Sequence, residues 1–165
     1  MRRESILDDL LVQSISDSDA RTWLGYWPGR VAGGAVPVFI SKFGDWFLRR
    51  PDDGIDKLSV IEGTCSEVAS THQELNSLLK SQAWQREHLF SFEVLQLCER
   101  GLVPQRGQCY GFIPHPALSG HINTNHAMPM EIGLWQHICA RHFLSAAPDV
   151  LKKNNSEEPI NHFAS

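Results

Sequence analysis

The sequence predicts an α+β domain in which a largely antiparallel sheet packs against several helices. Three observations carry this expectation. Blocks rich in β-branched and aromatic residues cluster between Ala35 and Ala69, separated by short Gly, Pro and Asp turns. Apolar residues at intervals of three and four dominate the segments on either side. The two kinds of segment come in runs rather than in βαβ alternation, which favours segregated layers and antiparallel pairing.

Taken in order, "SILDDLLVQS" places Ile6, Leu7, Leu10 and Leu11 at helical spacing behind Ser5 as a candidate N-cap. "SDSDARTWLGYW" predicts a second short helix capped by Asp17 or Ser18 and carrying Trp23, Leu24 and Trp27. Glycine and proline from Pro28 to Gly34 end it and suggest a linker. "AVPVFI", "GDWFLRR", "IDKLSVI" and "CSEVA" then read as four strands of a meander, with "PDDG" and "EGT" as turns. Ser70 with Gln73 three residues on fits a capping box for a helix bearing Leu75, Leu78 and Leu79.

"AWQREHLFSFEVLQLCERG" predicts one longer helix. Its stripe is Trp84, His88, Leu89, Phe92, Leu95 and Cys98, stopped by Gly101 and kept from resuming by Pro104. "QCYGFI" reads as a strand buried in the core, in which Gly107 and Gly111 permit close packing or unusual φ. "PHPALSGHINTNHA" reads as a loop. "IGLWQHICARHFL" is a last helix with Ile132, Trp135, Ile138, Cys139 and Phe143 on one face. The division expected is 1–34 as an N-terminal helical extension, 35–147 as the α+β domain, and 148–165 as a polar, aperiodic, disordered tail.

Composition narrows the function classes. A chain of 165 residues suits one domain and buries roughly 70% of its unfolded surface without help from metal or disulfide. No apolar run approaches the ~20 residues that span a bilayer, and "MRRESILDDLL" lacks the apolar core of a secretory signal. A cytoplasmic location with no membrane partner is expected. The net charge is −4, and Asp45 to Glu74 holds seven acids against three bases. Lysine and arginine gather into no phosphate-binding patch, so nucleic acid is not an expected partner. A basic protein is the better electrostatic match.

Cys65, Cys98, Cys109 and Cys139 form no C-x-x-C pair and read as small apolar residues of a reducing compartment. The densest collection of reactive side chains is "GQCYGFIPHPALSGH". Cys109 with His115, His121 and His126 offers a thiol nucleophile with a base, or a zinc site. Spacings of six, six and five do not suit structural zinc, and a strand cysteine lacks the helix N-terminus or turn that stabilises a thiolate. The expectation is no catalytic residue, no metal and no cofactor. A cysteine- or metal-dependent hydrolase built on Cys109 and the loop histidines stands as the alternative, with a housekeeping interaction domain as a third.

The stretch "FGDWFLRRPDDG…LSVIEGTCSEVASTHQELNSLL…LVPQRGQCYGFIPHPALSGHINTNH" resembles a bacterial family of unknown function that forms the C-terminal domain of Tdi-type immunity proteins. Those proteins neutralise DNase effectors of type VI secretion. The likeness lies in "FGDWF" followed by "EG", in "GLVP" leading to "GQCYGF", and in "PHPALSG" with an Asn soon after. It spans roughly residues 39–144. The GAD-like domain that often precedes this one in the family is absent as a whole from the 35 or so residues before it, and "AMPMEIGLWQH" lacks the family's acid-rich run. The resemblance implies a SUKH-like α+β fold, no catalytic residues, and a cognate protein toxin as partner. On that reading Asp45, Asp52, Asp53, Asp56 and Glu62 form an acidic binding edge, with Trp46 as an aromatic anchor.

Overall fold

The computed structural model describes residues 5–144; residues 1–4 and 145–165, where the expectation of a disordered tail falls, lie outside the described residues. Two helices come first, α1 (Ser5–Leu10) and α2 (Asp17–Leu24). Four strands follow, β1 (Val36–Ile40), β2 (Trp46–Arg49), β3 (Ile55–Ser59) and β4 (Thr64–Ala69). Helices α3 (His72–Leu78), α4 (Gln82–Leu89) and α5 (Ser91–Glu99) lead to β5 (Gln108–Phe112). A short α6 (Pro116–Ser119), a 3-10 turn (Thr124–His126), β6 (Ala127–Glu131) and α7 (Ile132–Leu144) complete the chain. This is an α+β fold.

The first four strands form an antiparallel sheet in sequential order, and β5 pairs with β6 in a separate antiparallel ribbon. Tyr110 N donates to Lys42 O at 2.7 Å and joins the two. Trp46, Phe47 and Leu48 are all buried, as are Ile55 and Leu58. Both faces of β2 and β3 are therefore covered, which explains why their sequences alternate so imperfectly. The edge strand β1 carries Pro37 and a bulge between Pro37 and Phe39, two devices that discourage further strand pairing.

Residues 5–34 share the core with the rest of the chain rather than forming an appendage. Leu10 and Trp27 are buried in it. Leu11 bridges Ser41, flanked by Val12 N to Ile40 O at 2.8 Å and Lys42 N to Leu10 O at 3.0 Å. One buried side chain, Gln136 of α7, gathers three distant segments. Its Oε1 accepts from the indoles of Trp27 at 3.1 Å and Trp46 at 2.9 Å, while its Nε2 donates to Gly44 O at 2.7 Å. All of its polar atoms are thus satisfied in an apolar setting, where an unmet one costs about 1–3 kcal/mol.

Several boundaries differ from expectation for physical reasons. Ser16, not Asp17 or Ser18, caps α2, accepting from Asp19 N at 3.0 Å. The capping box at α3 is shifted by one residue. Thr71 accepts from Glu74 N at 3.0 Å and Glu74 reaches back to Ser70 N at 2.9 Å. The motif fits both registers, and the anionic Glu74 is the stronger partner for a helix N-terminus.

The long helix expected over 83–101 breaks at Phe90, whose φ of 52° and ψ of 45° end α4 and start α5. Its ring packs edge-on against Phe43 at 5.3 Å, a core contact that holds the left-handed conformation. The break re-aims α5. Val94 and Leu97 are buried, while Phe92 and Leu95, expected in the core, are 53% and 57% exposed.

Strand β6 lay hidden in sequence because Pro129 sits at its centre, opposite Tyr110. Gly111 of β5 is packed so closely that a Cβ there would lie 2.7 Å from the Met130 methyl.

Candidate functional site

The acidic edge resolves into three different environments. At the β2–β3 turn, Asp52 is exposed and Asp53 half-buried, and both face arginine. Arg49 Nε lies 2.8 Å from Asp53 Oδ1. The Arg50 guanidinium meets Asp52 at 3.0 Å, Asp56 at 2.5 Å and Glu67 of β4 at 2.5 Å. Asp52 also accepts from Gly54 N at 3.0 Å. Hydrogen bonds from Arg50 hold the Asp52 carboxyl below its ordinary range, and those to Asp52 and Glu67 raise Arg50 in turn. These acids tie the hairpin together, and Asp52, Asp53 and Asp56 stand on this edge already paired with arginine.

Asp45 and Trp46 are corrected, since both are 0% exposed. Trp46 is the indole donor to Gln136 and a core residue, not an accessible anchor. Asp45 Oδ1 accepts from Val60 N at 2.9 Å. Its Oδ2 accepts no hydrogen bond among the described residues and has the Lys57 ammonium at 3.7 Å. Burial pushes its carboxyl up to about 6, against the opposing pull of Lys57 and the Val60 N–H.

Glu62 alone of the six stays exposed on the β3–β4 turn with no ion pair among the described residues. The turn beneath it is fastened from inside. Glu62 N donates to Ser59 Oγ at 3.2 Å and Gly63 N to Ser59 O at 2.8 Å. Arg30 donates to Gly63 O. Gly63 has φ 72°, and a Cβ there would lie 2.4 Å from the Phe143 ring.

Glu62 stands beside a cleft of about 360 Å³ lined also by Ile61, Phe90, Pro116, Ala117, His121, Ile122 and Phe143. Sequence reasoning named His121 among the loop histidines but missed the other lining residues as a site, because the β3–β4 turn, the α4–α5 break, α6 with the loop after it, and α7 meet there only in the folded chain.

The reactive residues of "GQCYGFIPHPALSGH" are dispersed by role. Cys109 is fully buried, and burial raises its thiol far above the ordinary range, which keeps it protonated. His115, expected as loop decoration, is corrected to a core residue. Its Nε2 donates to Val60 O at 3.2 Å, and its Nδ1 caps α6 by accepting from Ala117 N at 3.1 Å. Its ring stacks on Trp135 at 5.4 Å and on His142 at 4.6 Å. Burial first, and the His142 charge after it, lower its basicity.

His121 is exposed and donates from Nδ1 to Ser119 O at 3.0 Å. Among the described residues, no three His, Cys, Asp or Glu side chains converge as a metal site requires. Nor is any described helix long and apolar enough to cross a membrane.

No protein-family model and no curated protein matches the chain. Among solved structures, the chain is similar to the crystal structure of Atu4351 from Agrobacterium tumefaciens, with a TM-score of 0.52. The likeness covers 81% of this chain and 67% of that one at 13% identity, and it is a likeness of fold.

Proposed function

We propose that the chain is a non-catalytic immunity protein of the cytoplasm. It binds a basic protein toxin, a nuclease effector of type VI secretion, and neutralises it by occlusion. The observation that carries the reading is the commitment of the interior's reactive groups to the scaffold. Cys109 is a buried, protonated thiol. Both nitrogens of His115 are hydrogen-bonded to backbone. Asp45 holds the β3–β4 turn. Exposed chemistry is left to the surface, where the α5 face of Phe92 and Leu95 and the Glu62 turn provide apolar and anionic contact. The resemblance of "FGDWF" and "GQCYGF" to the immunity family supplies the class of partner.

Co-expression with the nuclease encoded beside the gene tests the reading. Rescue of growth and a stable complex between the purified proteins are expected, with Cys109→Ala binding as the parent chain does. Turnover of a small substrate that disappears in Cys109→Ala while the fold is retained would overturn it. A thiol titration adds an independent check. Cys109 and Cys139 should react only on unfolding, since burial holds both thiols protonated.

A further inference from the structure

The cleft beside Glu62 combines aromatic walls with one lining acid that makes no ion pair among the described residues. Phe143 is held edge-on by His115 at 5.4 Å and His142 at 4.8 Å, with Gly63 closed against it. Phe90 is fixed by its backbone conformation and by Phe43. Ile122 and Pro116 complete an apolar channel at the small end of ligand-pocket size. Among the described residues, the cations near the turn have other partners, Lys57 on Asp45 and Arg30 on the Gly63 carbonyl. His121 donates from Nδ1 to a carbonyl, which occupies that ring nitrogen.

An apolar occupant would cover the Glu62 carboxylate and leave it without a partner, which is costly. A long aliphatic stem ending in a cation satisfies both features. The stem lies along Phe90, Ile122 and Phe143, and the head reaches Glu62. Lys57 already shows this chemistry within the chain, its ammonium lying 5.2 Å from the Phe90 ring centre on its way to Asp45.

We propose that this cleft seats one arginine or lysine side chain of the partner protein. The inference rests on the binding-module reading and names the chemistry that the partner presents.

The test titrates the full-length, isotope-labelled chain with the blocked peptide acetyl-Gly-Gly-Arg-Gly-Gly-amide, following backbone amide shifts. The neutral citrulline peptide and free L-arginine serve as comparisons. The arginine peptide should shift the amides of Glu62, Gly63, Ala117, His121 and Ile122. Citrulline in the peptide, or Glu62→Gln in the protein, should each weaken binding about tenfold. Ala117→Phe, at an exposed position on the cleft wall, should abolish it. No shifts, shifts centred elsewhere, or equal binding by citrulline or by Glu62→Gln would overturn the proposal. Free L-arginine binding more tightly than the peptide would reassign the cleft to a small amine and overturn the protein occupant. If the neighbouring nuclease binds Glu62→Gln and Ala117→Phe as it binds the parent chain, the cleft assignment falls and the binding-module reading stands. If the parent chain binds no nuclease, that reading falls, and the peptide titration still decides whether the cleft takes a cation.

Discussion

At one end of β3 the chain turns through Arg50–Gly54, and at the other through Val60–Gly63. Both turns combine acids with a glycine, and each has one residue at positive φ, Asp53 at 73° and Gly63 at 72°. The first is held by charges at the surface, with Arg49 and Arg50 clasping Asp52, Asp53, Asp56 and Glu67. The second is held by groups reaching it from the interior. Asp45 and His115 take the two backbone groups of Val60, and Phe143 backs Gly63. Because its fastening is internal, the second turn leaves its carboxylate without an ion pair among the described residues. A surface acid therefore becomes available to a partner when something other than that acid holds the turn.

Substitution at Gly63 should break this comparison most sharply. Gly63→Val adds strain at positive φ and drives a side chain into Phe143, and it should cost about 4 kcal/mol by urea unfolding. Asp53→Gly in the opposite turn relieves strain while losing the Arg49 pair. It should change stability by less than about 1 kcal/mol. Equal losses would show that the two turns do not differ in how they are held.

The pH dependence sharpens the contrast next. Asp45 keeps its proton to about pH 6 when folded, against an ordinary 3.8. The native chain therefore holds more protons than the unfolded chain across that window, and the contribution of Asp45 to stability falls as pH rises from about 4 to about 6. The shift corresponds to about 3 kcal/mol. His115 acts in the opposite sense, since its lowered basicity costs stability as pH falls through and below its ordinary 6.5. The difference between Asp45→Asn and the parent chain isolates the first effect. The variant should gain on the parent steadily from pH 4 to pH 6, and parallel curves would refute the assignment.

Smaller effects belong to the surface turn. Arg50→Gln should lower the unfolding midpoint less than Gly63→Val does, and added salt should narrow its gap to the parent chain. Glu62→Gln should change the midpoint least of all, since Glu62 makes no ion pair among the described residues and only its repulsion of the buried Asp45 is relieved.

The four-strand meander was legible in sequence because its turns carry Gly, Pro and Asp where backbone geometry demands them. The β5–β6 ribbon was half legible, since "QCYGFI" reads as a strand but Pro129 disguises its partner. Phe90 was illegible as a helix break, because a Phe at positive φ is held by tertiary contact and not by local preference. Charge counting found the acids of Asp45–Glu74 but could not sort them. Which carboxylate is buried, which is paired and which is free depends on where Val60, Arg50 and Phe143 stand in space. His115 misled for the same reason, because a Pro-rich loop reads as solvent-exposed until α7 covers it.

The Gln136 node also constrains the order of events during synthesis. Its bonds join residues 109 and 90 positions apart, so loops of that length must close before either indole finds its acceptor. A nascent chain emerging N-terminus first can form its hairpins early, yet it holds Trp27 and Trp46 without their acceptor until α7 has emerged. Emergence of α7, rather than completion of the meander, sets the moment at which the native state becomes accessible.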